Sequence, residues 1–309
     1  MTEAANDTLR IGYATPVGLW NESREAKHRI LDDLFTAGID HVYMADHVSF
    51  RDGHGTDGFV EIAGLSQLHD QLGVMISVYL LALRHPMTVA RQMATMTRLA
   101  PGRVSLGVGV GGDDRHEIEV CGIDPRSRGR RTDECLQILR RLADGEPIDH
   151  HGEFFDLDAA AIKPAIGSVP LVIGGRSDAA LVRTAHYGDG WIGAWCSPRR
   201  FAEAVAIIDE TAADVGRSVD WCHGYQPWIG IGPTRSEARR VVADAMERFY
   251  RVPFERFERY TPHGTPEEVA DRLRPYVDAG CRLFNLKVVA ADERTAIKSA
   301  ARIAALLRV

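Results

Sequence analysis

Asp46 and His47 stand where an apolar run, Ile39-Asp40-His41-Val42-Tyr43-Met44-Ala45, gives way to a loop carrying Gly53, Gly55 and Gly58. An acid followed by an imidazole at the end of a buried strand is where a parallel α/β fold presents side chains to a ligand. Histidine can donate, accept or carry a proton near neutral pH. The pair therefore reads as a proton-handling site in which His47 exchanges the proton and Asp46 orients its ring. The plain alternative is a loop histidine satisfied by a backbone carbonyl.

Two glycine-rich turns offer binding surfaces. Gly107-Val108-Gly109-Val110-Gly111-Gly112 satisfies G-x-G-x-x-G formally, but Asp113, Asp114 and Glu117 follow at once and would repel the anion such a motif serves. A backbone lacking Cβ atoms at Gly107 and Gly109 instead lets a flat ring lie close; a strand end with a tight turn is the alternative. Gly174-Gly175-Arg176-Ser177 is the better phosphate candidate. Two glycines leave a strand, a helix starts with Ser177 placed to cap it, and free N–H groups plus an arginine fork suit a phosphate monoester. A plain βα turn would carry the same residues. Arg84, in Arg84-His85-Pro86, reads as the partner of an acid in a structural pair, with a ligand phosphate as the alternative. Trp20, Trp195, Cys196, His223, Gln226 and Trp228 read as packing or as walls of a pocket.

The elements that must position these residues alternate between strand-like and helix-like patterns. Strands are expected over 9–14, 41–45, 74–83, 103–109, 170–173, 190–194, 225–231 and 282–288. Helices are expected over 24–37, 59–71, 86–99, 127–143, from 177, over 198–215 and 236–250, from 265, and at the C-terminus. A small hairpin is expected over 148–157, and the aromatics from Phe249 to Tyr260 form an insertion before the last strand, lidding the site or packing a dimer. Eight such units in one chain suit a closed (β/α)₈ TIM barrel with insertions, read as a single domain over 1–309. An open doubly wound sheet, the form of an NAD(P) dehydrogenase, is the alternative.

Composition narrows the function. The 309 residues are 45% hydrophobic and 26% charged, with a net charge of −6, which is ordinary globular composition. Basic residues alternate with acids, so no nucleic-acid footprint is expected. No apolar run is long enough for a membrane span, and Met1 to Arg10 lacks the order of a signal peptide. The five cysteines are scattered without a C-x-x-C pair. Reduced thiols in a cytoplasm are expected, and no metal.

In this order, Ala45-Asp46-His47, Leu83-Arg84-His85-Pro86, Leu99-Ala100-Pro101-Gly102-Arg103 with Gly107 to Gly112, Val172-Ile173-Gly174-Gly175-Arg176-Ser177, Gly188-Asp189-Gly190-Trp191 and Gly264-Thr265-Pro266-Glu267-Glu268-Val269 resemble the bacterial luciferase-like superfamily of flavin and deazaflavin enzymes. Within that superfamily the chain most resembles the coenzyme F420-dependent branch, notably its methylenetetrahydromethanopterin reductase-like group. The resemblance implies a flavin-like ring at the C-terminal ends of the strands. It also implies a bulge with a non-prolyl cis peptide backing that ring, which falls at Ser77–Val78 when aligned on Arg84-His85-Pro86. Asp46 and His47 match positions that touch coenzyme and substrate in the glucose-6-phosphate dehydrogenases of the branch. Those enzymes place a glutamate just after the glycine run, where this chain has Gly111-Gly112-Asp113; the departure argues against a sugar-phosphate substrate and leaves the general acid unidentified.

The expected activity is hydride transfer between coenzyme F420 and a small organic substrate, with the protein supplying orientation and electrostatics. One rival is an FMN-dependent monooxygenase fed by a partner reductase. Another is a flavin-binding barrel without catalysis. The resemblance further implies a homodimer.

Overall fold

The computed structural model describes residues 8–112 and 114–308. The expectation for Asp113, and most of that for the N-terminal decapeptide, lies outside the described residues. Two compact units are formed, one from the chain up to Tyr43 and from Trp191 onward, the other from Met44–Gly190.

The first unit opens with β1 (Arg10–Ala14), α1 (Arg24–Thr36) and β2 (His41–Met44). β1 pairs in parallel with β2, Gly12 opposite His41. Ser23 caps α1 by accepting from the Ala26 amide, and the helix buries Leu31 and Leu34.

The second unit begins with an antiparallel hairpin of β3 (His47–Phe50) and β4 (His54–Thr56). There follow α2 (Gly58–Ser66), β5 (Gly73–Leu80), α3 (Pro86–Leu99), β6 (Val104–Gly109), α4 (Arg115–Val120) and α5 (Arg128–Leu142). A second hairpin, β7 (Ile148–His151) with β8 (Asp156–Ala160), precedes β9 (Leu171–Gly174) and α6 (Asp178–Tyr187). β5, β6 and β9 pair in parallel. Val74, Met75 and Ile76 of β5 are all buried. A strand covered on both faces reads as a continuous apolar run, which is why alternation is absent there. Burying each such side chain contributes about 1.5–3 kcal/mol.

The chain returns to the first unit with β10 (Gly190–Gly193), α7 (Pro198–Asp214), β11 (Gly224–Tyr225), β12 (Trp228–Ile231), α8 (Arg235–Tyr250), β13 (His263–Gly264), α9 (Pro266–Asp278), β14 (Leu283–Val289) and α10 (Glu293–Leu307). A reciprocal capping box between Thr265 and Glu268 starts α9. β14 pairs in parallel with β1, β11 and β12. Strand order runs β1-β2-β5-β6-β9-β10-β11-β14 and back to β1. This is the closed (β/α)₈ barrel expected from the alternation, with β3–β4, β7–β8 and the segment after α8 as additions.

Four local expectations change. The seventh strand, expected over 225–231, is divided into β11 and β12, because Pro227 has no N–H for a ladder. The third strand ends at Leu80, and Leu81–Leu83 form a 3₁₀ turn. The glycine loop after His47 is the β3–β4 hairpin. The short helix α4 falls in a stretch with no helix expected. No helix among the described residues is long and apolar enough to cross a membrane.

Candidate active site

His47 opens β3, three residues past the end of β2, and its side chain is 23% exposed. Its Nδ1 lies 3.0 Å from Oε2 and 3.3 Å from Oε1 of Glu117, whose side chain is 3% exposed. The same carboxylate accepts from the amides of Val48 at 2.7 Å and Ser49 at 3.2 Å. Asp114, capping α4, accepts from the Arg51 amide at 2.7 Å. Two acids of one short segment thus hold the β3–β4 hairpin. Phe50 packs on the imidazole with ring centroids 4.3 Å apart.

The electrostatics follow from these contacts. Burial alone would push the Glu117 carboxyl up; the hydrogen bond and charge of His47, with the amides of Ser49 and Val48, outweigh it and hold the group below the ordinary carboxylate range. An ionised carboxylate only accepts, so Nδ1 carries the proton. Nε2, which makes no hydrogen bond among the described residues, is the acceptor of the neutral ring and the donor of the charged one.

Asp46 does something else. It is fully buried and accepts from the Gly58 amide at 3.0 Å, the Leu80 amide at 3.1 Å and Arg84 Nη2 at 2.7 Å. Burial pushes its carboxyl up, and the charge of Arg84 and the two amides only partly oppose this. The expectation that Asp46 orients the His47 ring is therefore corrected: the orienting carboxylate is Glu117, and Asp46 clamps the start of α2 to the end of β5. Arg84 pairs with an acid, the first of the two partners expected for it, and it also lies over the Tyr79 ring at 4.5 Å. Glu117 escaped the sequence reading because it lies 70 residues from His47; the one local signal is an acid placed beside Ile118 in a stretch of otherwise solvated charges.

Ser77 and Val78 lie in β5, joined by a cis peptide bond, and the pairing with β6 slips between Ile76 and Tyr79. Val78 is the only residue of β5 that is not buried. Its carbonyl accepts from the Asp46 amide at 3.3 Å, which ties the bulge to the acid–imidazole segment. Gly107 and Gly109 of β6 face the same bulge. A Cβ at Gly107 would meet the Ile76 carbonyl oxygen at 2.5 Å, and one at Gly109 would meet Val78 Cγ2 at 2.4 Å. The space freed by these two glycines is thus taken by β5.

Gly174 ends β9, whose Ile173 pairs with Val108. Gly175 has φ 137, and a Cβ on it would come within 2.7 Å of Ala180 Cβ. Ser177 occupies the N-cap of α6, but its hydroxyl makes no capping hydrogen bond, contrary to the expected cap. Arg176 is exposed.

All ten expected site residues lie in the Met44–Gly190 unit. Around them the donor set fits a flat coenzyme with a phosphate tail: the exposed face of Val78 on an otherwise buried strand suits a ring, and a helix start with an unused serine hydroxyl suits an anion. Asp178 in the first turn of α6 opposes the anion. Trp20 is surface-exposed beneath Lys27, while Trp195 and Trp228 join Tyr250 in an aromatic cluster of the first unit. His223 is buried and accepts from the Trp191 amide through Nδ1. Among the described residues no three His, Cys, Asp or Glu side chains gather to hold a metal.

Residues 34–260 match the family described as luciferase-like monooxygenase. An uncharacterized protein of Mycobacterium tuberculosis is 33% identical over 171 residues, 55% of this chain and 59% of that protein, so the match spans well under two thirds of the relative. An F420-dependent glucose-6-phosphate dehydrogenase of Beutenbergia cavernae is 28% identical over 305 residues, 88% of this chain and 89% of that protein. A solved F420-dependent secondary alcohol dehydrogenase, in complex with an F420-acetone adduct, superposes with a TM-score of 0.84 over 98% of this chain and all of that one. At 19% identity it bears on the fold alone.

Proposed function

The chain belongs to the luciferase-like monooxygenase family, and from that premise we propose that it is an oxidoreductase moving a hydride between the deazaflavin coenzyme F420 and a small organic substrate. The observation that carries this reading is the buried Glu117 carboxylate, which fixes the Nδ1 proton of His47 and leaves Nε2 as the position where a proton can come and go. Similarity to an F420-dependent dehydrogenase along most of both chains supports the choice of coenzyme.

Each residue then has a task. When bound, the coenzyme supplies the redox carbon that takes or gives the hydride. Ser77 and Val78 back the ring. Gly174, Gly175, Arg176 and Ser177 hold the phosphate through amides, guanidinium and hydroxyl. Gly107 and Gly109 admit the bulge that carries Val78. His47 Nε2 takes the proton released by a substrate being oxidised, or returns it to one being reduced. Glu117 stabilises the imidazolium formed in the first case, and Asp46 positions the segment.

The family's description also favours a second reading, an FMN-dependent monooxygenase served by a reductase. Paired anaerobic and aerobic assays separate the two: coenzyme F420 conversion is followed without oxygen, and oxygen uptake with reduced FMN is followed in air. A panel of small alcohols and aldehydes should convert coenzyme F420 in the presence of the protein, with His47→Ala slower by about 10²–10⁴-fold. Oxygen uptake with reduced FMN, without any conversion of coenzyme F420, would establish the second reading instead.

A further inference from the structure

Lys287 lies toward the C-terminal end of β14, two residues beyond Asn285 and so on the same face of the strand. Its amine stands over the Trp228 ring, 4.1 Å from the centroid, and 5.1 Å from that of Phe249. Trp228 is fixed in turn, its Nε1 donating to the Tyr250 hydroxyl at 3.1 Å. The side chain of Lys287 makes no hydrogen bond or ion pair among the described residues. An ammonium has three N–H donors. Aromatic faces attract its charge but leave those donors unsaturated, and a cation drawn into protein is normally met by an anion. Burial pushes this amine down to about 8, so it keeps its proton in most molecules at neutral pH.

The position adds direction. β14 and β2 both run parallel to β1, so the C-terminal end of β14 lies at the end where β2 also finishes. In (β/α)₈ barrels that end is where ligands bind. We infer that Lys287, seated on Trp228 and Phe249, is the recognition point for the carboxylate of an apolar or aromatic acid. The exposed Phe249 ring offers apolar contact for the body of such a ligand, the buried Trp228 ring holds the amine in place, and the ammonium supplies the missing counter-charge. One ammonium matches one negative charge; a phosphate ester, with its greater charge and more acceptors, is better served by a guanidinium fork. This assignment gives Trp228 of β12 and Phe249 of α8 a use, and it is independent of the coenzyme chosen above.

Calorimetric titration of the full chain, without added coenzyme, tests it with three probes: benzoate, benzamide and inorganic phosphate. Benzoate should bind at least about tenfold more tightly than benzamide or phosphate. Lys287→Met should abolish that preference while its circular dichroism matches the parent, and Lys287→Arg should keep most of it. Equal affinity for benzoate and benzamide, no binding of benzoate, tighter binding of phosphate, or a preference that survives in Lys287→Met overturns the assignment. The comparison of benzoate with benzamide on the unaltered chain decides the matter even where a variant misfolds. Failure of coenzyme F420 to bind leaves this result untouched.

Discussion

Two carboxylates near one imidazole divide the labour between them. Glu117 orients the ring and Asp46 holds the backbone, and each makes a prediction. The Glu117 carboxyl is held below its ordinary range, so on acidification the unfolded chain takes up its proton first. The stabilisation is therefore present above the unfolded value and is lost as pH falls through the folded one. Urea unfolding at pH 7 and at about pH 3 should show the parent losing more stability than Glu117→Gln over that window. Asp46→Asn leaves Arg84 without its buried counter-ion and removes an acceptor from the Gly58 or Leu80 amide. It should lower stability by about 3 kcal/mol, read from urea midpoints at pH 7.

At the scale of elements, the contact between β5 and β6 sets where Val78 presents its face. Alanine at Gly107 would strike a backbone carbonyl, while alanine at Gly109 would strike a side chain that can turn. Both overpack a filled space and should cost about 1–3 kcal/mol, Gly107→Ala more than Gly109→Ala, as unfolding midpoints will show. The same elements show what sequence can carry. Strand–helix alternation and its apolar periods are written locally, so α3 is found at Pro86–Leu99 as expected and the parallel strands fall within a few residues of their expected places. The β3–β4 hairpin is not legible, because His47 to Thr56 is short, polar and held by acids of α4 rather than by an apolar face of its own. The division of the seventh strand was legible in Pro227, whose missing N–H marks the break. Of the candidate site, the glycine turns and His47 were legible as candidates from residue types. The partner of His47 could not, since only tertiary packing brings Glu117 to it.

For the molecule as a whole, we propose one coenzyme class held at the C-terminal ends of the strands of a (β/α)₈ barrel. The family resemblance also leads us to expect a homodimer, for which light scattering should return twice the chain mass. Coenzyme F420 at a hundred times its dissociation constant should stabilise the chain by about 2.7 kcal/mol, seen as a rise in melting temperature that NADPH at the same concentration does not produce. Equilibrium dialysis of the purified chain against coenzyme F420, FMN and NADPH in parallel reads the choice of coenzyme without any substrate. On this proposal coenzyme F420 is retained, by the parent and by His47→Ala alike, and NADPH is not. Retention of NADPH, or of FMN with no retention of coenzyme F420, would contradict it.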